Sequence, residues 1–215
     1  MKKLLSLLLV MLMLITTLAS CSLVEKFFPK KDSDSRQVTE EEWNANMNIT
    51  NFECQSFASV TQSGETEIIE NIIFQYTENA YALIDPEDGR VIDIGTLKDG
   101  VWYEVDKRES GYIGYDIPEY TTKTVRSYTM DDAIFANYTY NAELGAYVTQ
   151  PNLEDEYMGT VEEIRAYFEN KVIVKFEVVG YYVEDDGSRF DYVITTEIRN
   201  IGTTVIDVPE FTISN

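Results

Sequence analysis

Between residues 52 and 200 the chain repeats one pattern: five to twelve residues alternating apolar and polar, then a tight turn. Period-two alternation puts successive side chains on opposite faces of a strand. Connections this short join antiparallel neighbours and leave no room for crossover helices. The turns carry the usual chemistry: Ser63-Gly64, Asp85-Pro86-Glu87-Asp88-Gly89, Lys98-Asp99-Gly100 and Asp185-Asp186-Gly187. Strands are expected at residues 52–61, 66–76, 80–84, 91–95 and 101–105, followed by a loop at 109–111. On the second strand, Ile68, Ile72, Phe74 and Tyr76 fall on one face and Ile69 and Ile73 on the other.

Two capping boxes punctuate the strands. Thr39 with Glu42 opens a short helix ending near residues 48–51, with Val38 placed to staple onto Trp43 and Trp43 paired with Met47. Thr160 with Glu163 predicts a second helix to about Glu169. Val161, Ile164, Tyr167 and Phe168 would line one side of it. Residues 112–135 give no regular signal. Ile117-Pro118 breaks the chain, residues 121–130 are too β-branched for a helix and too polar for a core strand, and a short helix fits near 130–135.

Regularity returns with a hairpin at 136–140 and 146–149, then an acidic loop at 150–159. Two long strands follow at 172–183 and 189–200. Val172, Val174, Phe176, Val178 and Tyr182 are expected inward on the first, and Phe190, Tyr192, Ile194, Thr196 and Ile198 on the second. A last strand is expected at 203–208, ending at Pro209. The fold class is mainly β (α+β): a single curved antiparallel meander sheet, or half-barrel, of about 9–11 strands covered by two or three short helices.

The N-terminus carries a different signal. Lys2 and Lys3 precede an apolar run from Leu4 to Ile15 and then the small residues of Leu18-Ala19-Ser20-Cys21. A membrane-spanning helix is the competing reading, since the apolar run is nearly as long as the roughly 20 residues that spanning takes, but the four-residue pattern and the polar linker after it weigh against that reading. The four residues resemble the lipobox of bacterial lipoproteins. That resemblance implies cleavage between Ser20 and Cys21, a diacylglycerol thioether on Cys21, and a lipid-anchored protein on the extracytoplasmic face of a bacterial cell membrane. Residues 1–20 are then a signal peptide, 21–37 a lipidated N-terminus and flexible linker, and 38–215 the β domain. Lys26, Lys30 and Lys31 add a small basic patch beside the anchor.

The order of elements, with Tyr138 and Tyr140 before the hairpin and Gly202-Thr203-Thr204 before the terminal Val-Pro, looks like the LolA/LolB carriers of lipoproteins and the LppX/LprG lipid-binding lipoproteins. The likeness spans roughly residues 38–215 and is one of architecture. It implies a half-barrel around a hydrophobic cavity for acyl chains, and no functional residue is carried over from it.

Chemistry is sparse. There is no histidine, so Ser-His-Asp and Cys-His arrangements are impossible. No Gly-rich phosphate loop occurs, and the acidic loops lack the spacing of an EF-hand. Asp85, Glu87, Asp88, Asp131, Asp132, Asp185 and Asp186 read as turn residues. The net charge of −21 opposes a nucleic-acid partner. With Cys21 acylated, Cys54 has no partner and reads as a small core residue. No enzyme activity, cofactor or metal is expected.

Fifteen tyrosines fit half-buried strands or, alternatively, an aromatic ligand groove. Two short helices are little cover for nine or more strands. A groove for a lipid or other apolar ligand is therefore expected between the helix bearing Ile164 and Phe168 and the strands bearing Phe74, Tyr103, Phe176 and Tyr192. The alternative is an interaction or structural lipoprotein with a filled core, docking a protein partner of unknown identity or an envelope polymer.

Overall fold

A computed structural model describes residues 36–129, 133–151, 153–155 and 159–214. The expected signal peptide, Cys21 and most of the linker lie outside the described residues, as do Met130, Asp131 and Asp132.

Helix α1 (Glu40–Met47) forms as its capping box dictates. Thr39 Oγ1 accepts from the Glu42 N–H at 3.2 Å, and Glu42 Oε2 accepts from the Thr39 N–H at 2.7 Å. Among the described residues thirteen strands then form the expected single, open, mostly antiparallel sheet, two more than the upper expectation of eleven. The first wing is a meander: β1 (Phe52–Gln62), β2 (Glu65–Tyr76), β3 (Ala80–Ile84), β4 (Val91–Lys98), β5 (Val101–Arg108) and β6 (Gly111–Asp116). The second contains β7 (Thr139–Asn141), β8 (Ala146–Thr149), β9 (Leu153–Asp155), β10 (Gly159–Glu169), β11 (Val172–Val183) and β12 (Arg189–Arg199). The wings meet where β1 pairs with β12, and β13 (Thr212–Ile213) adds in parallel to β6.

The expected helix from Thr160 is strand β10. Its register skips Glu162: Val161 pairs with Gly180 and Glu163 with Val179. This bulge resets the alternation, so Val161, Ile164, Ala166 and Phe168 all face inward. The spacings of three and seven residues among Val161, Ile164 and Phe168 imitate a helix but arise from a bulged strand. A type I′-like turn at Asn170 (φ 49°) and Lys171 (φ 70°) leads directly into β11.

Other faces shift for the same reason. A bulge at Ile69 in β2 moves Ile68 to the face of Ile73, away from Phe74 and Tyr76, and leaves it 65% exposed. In β11 the register skips Val174, so Ile173 is buried while Val172 is exposed. Phe176, Val178, Tyr192, Thr196 and Ile198 are buried as expected, whereas Tyr182, Phe190 and Ile194 are half-buried. The expected strand at 203–208 joins no ladder. Residues 204–210 form a strap without regular structure, and β13 follows it.

The sheet has two working faces. On the first, Trp43 and Met47 of α1 pack with Phe52, Cys54, Ile164, Phe168, Ile173 and Phe176. The Trp43 ring lies 4.7 Å from Tyr138 and 5.5 Å from Tyr147 and Phe168, and its Nε1–H donates to the Ala133 carbonyl at 2.7 Å. The Tyr147 hydroxyl accepts from the Val38 N–H and donates to the Val38 carbonyl, both at 2.8 Å. Cover thus comes from α1, the 3₁₀ turns at Val125–Tyr128 and Phe135–Asn137, and the segments around them, with no second α-helix among the described residues. Burying each large apolar side chain contributes about 1.5–3 kcal/mol. On the second face the strap crosses β4–β6, and Phe211 packs 5.8 Å from Tyr103.

Candidate functional site

The six residues expected to line a groove divide between the faces. Register places Phe74, Ile164, Phe168, Phe176 and Tyr192 on the first face, all within or against the core under α1. Ile164 is 0% exposed, Phe168 and Phe176 are 1% and Tyr192 is 5%. Tyr103 lies on the opposite face, paired with Thr96 and Asp116 and packed on Phe211. The structure therefore brings five together as core and sets the sixth apart.

Cys54 sits in this core, 0% exposed. Burial pushes its thiol up to about 12, against the pull of a hydrogen bond with Tyr128. It stays protonated at neutral pH. Beside it, Phe52, Phe74, Tyr76 and Tyr128 pack with ring centroids 5.3–6.2 Å apart.

The acidic turns spend much of their polarity on the backbone. Asp85 Oδ1 accepts from the Glu87 N–H at 2.9 Å, Asp88 Oδ1 from Arg90 at 2.9 Å and Asp186 Oδ1 from Ser188 at 2.8 Å. That last bond holds Asp186 below its ordinary value. Among the described residues no group of three acidic or cysteine side chains is gathered for a metal ion.

The second face carries a polar ladder across β10–β12. Glu177 accepts from Tyr167 Oη and Lys175 Nζ, each at 2.7 Å, and from Arg165 Nη1 at 3.2 Å. Burial pushes the Glu177 carboxyl up, but these donors outweigh it and hold it below the usual range. Arg165 also pairs with Glu163, and Arg199 with Glu53.

Further along this face the strap encloses a groove of about 600 Å³. Ile94 and Val105 are buried beneath it, exposed Val91 and Ile92 extend it, and Val208 and Pro209 close the strap side. Arg90 and Lys107, both exposed, border it. Its size suits a small amphiphile. Sequence reasoning missed this groove because the strap's alternation, Thr204 and Ile206 inward and Val205 and Asp207 outward, reads as one more strand.

No family model matches this sequence, and no curated protein matches it significantly. A solved structure of a DUF1329 family protein from Desulfovibrio piger aligns over 78% of this chain and 92% of its own, at 9% identity and a TM-score of 0.25. Similarity that low carries no argument about function.

Proposed function

We propose that this chain is a lipid-anchored lipoprotein of the extracytoplasmic membrane face, a non-enzymatic module that binds a partner through its surface. The anchor rests on the lipobox-like Leu18-Ala19-Ser20-Cys21. One observation favours a surface over an internal lipid site: the core residues best suited to line an acyl cavity are the most deeply buried. An acyl chain there would have to displace Phe168, Phe176 and the Trp43 cluster from a close-packed core. The missing histidine and the protonated Cys54 support the absence of nucleophilic catalysis.

Carriage of a lipid or other apolar ligand, as the LolA/LolB likeness implies, is a second reading. The groove under the strap favours it, rather than the core. Two measurements test the proposal. Cys21→Ala should release the protein from membranes or leave it unprocessed, read by fractionation and intact mass; no change overturns the anchor. A fluorescent acyl probe should show no saturable binding to the domain lacking residues 1–37. Saturable binding weakened at Phe176 or Tyr192 would restore the core as a lipid site, and weakening at Ile94 or Val105 would assign the strap groove.

A further inference from the structure

We propose that the outer edge of β2 docks an extended, basic segment of a partner protein by strand addition, an inference that rests on the surface-binding reading above. β2 pairs with β1 along its length, but β3 meets it only from Ile73 to Tyr76. Residues 65–72 therefore present an edge with no second strand among the described residues, about 26 Å long at roughly 3.3 Å per residue. Unpaired backbone groups in such a row are a template for an incoming strand.

β3 cannot extend to cover this edge. Pro86 has no N–H to offer, and the chain turns back at once: the Asp85 N–H donates to the Arg90 carbonyl, and the Gly89 N–H to the Asp85 carbonyl, at 2.9 and 2.8 Å. The turn stands off from β2 and leaves a notch of about 540 Å³ lined by Ile68, Asn71, Ile72, Pro86 and Ile92. Ile68 and Ile92 are 65% and 52% exposed, a place for one apolar side chain of the incoming segment.

Charge selects the occupant. Glu65 and Glu67 are exposed at alternate positions of the edge, Glu87 is exposed on the turn beside Asp88, which pairs with Arg90, and residues 65–72 contain no lysine or arginine. A strand with lysine or arginine at alternate positions meets carboxylates on both sides. A second copy of this chain would set glutamates against glutamates, so the charge that recruits a basic segment also prevents edge-to-edge self-pairing.

The test uses the full-length protein in nonionic detergent. The probes are an eight-residue peptide alternating lysine and valine, its glutamate–valine counterpart, and a lysine–proline version. The lysine–valine peptide should bind saturably, bind more weakly as salt rises, and slow amide exchange within residues 65–72; the other two should not bind. Glu67→Lys with Ile68→Thr should reduce binding at least tenfold with the thermal midpoint retained. Glu65→Lys with Glu67→Lys, which leaves Ile68 in place, should weaken binding without unfolding. Absent binding, protection elsewhere, equal binding of the acidic or proline peptide, or indifference to these substitutions would overturn edge docking. The acyl-probe and fractionation results do not involve β2, so failure of the anchor or core reading is distinguished from failure at this edge.

Discussion

Asn46 Oδ1 accepts a hydrogen bond from the backbone N–H of Ile173 at 2.9 Å, tying the helix to the start of β11. The same side chain donates through Nδ2 to the carbonyls of Glu42 at 2.7 Å and Lys171 at 3.0 Å. A buried asparagine is tolerated because its polar atoms are occupied, and here the occupation also orients α1 over the β10–β11 turn.

Asn46→Leu keeps the volume and removes all three bonds. The Ile173 N–H is then buried without this partner, at about 1–3 kcal/mol, and the part-buried Lys171 carbonyl loses a donor. The expected loss is about 2–4 kcal/mol in urea unfolding, with the slope unchanged. A loss under about 0.5 kcal/mol would mean that the helix is not held to the hairpin by this residue.

How far the sequence speaks for the fold depends on local chemistry. Thr39 and Glu42 announce α1 because a capping box is satisfied within four residues. Ser63-Gly64 and Asp99-Gly100 announce hairpins because glycine supplies positive φ at the second position, 88° and 82°. Asn170-Lys171 does the same work without a glycine, and so hides the turn after β10. The skipped Glu162 completes the deception by giving a strand helical spacing. Bulges are tertiary decisions about which residue goes unpaired, and alternation alone does not locate them. The candidate sites were hidden for a related reason. The strap groove and the β2 notch arise from where strands stop, at Pro86 and after Asn200, and not from any motif.

Gly180 illustrates a close approach that only glycine permits. A Cβ built there would fall 2.2 Å from the Thr160 carbonyl oxygen and 2.4 Å from the Tyr192 hydroxyl. The Tyr192 side chain reaches across β11, paired with Gly180, toward the Thr160 carbonyl on β10. Gly180→Ala should therefore destabilise by about 1–3 kcal/mol, the cost of overpacking. Adding Tyr192→Leu should recover only part of that loss, because the Thr160 backbone remains in the way. Full recovery in the double variant would show that the ring alone sets the constraint.

The surroundings of Glu104 oppose its charge. Burial pushes its carboxyl up from the ordinary 4.5, and the charges of Asp93 and Asp106 on the same face of the sheet add to the shift. Asp106 itself is paired: Arg108 Nη2 donates to its Oδ2 at 2.7 Å. A carboxyl whose folded value is raised binds its proton more tightly folded than unfolded. Its stabilising contribution is present below the unfolded value and is lost as pH rises through the folded one. Glu104→Gln removes the ionisation and keeps the shape. The variant should therefore gain stability relative to the parent as pH rises from about 4 to 7 and show little difference below pH 4. Unfolding midpoints measured across that range read the effect directly. A Gln variant less stable than the parent at pH 7, or a difference independent of pH, would show that Glu104 is held by donors and not opposed by its neighbours.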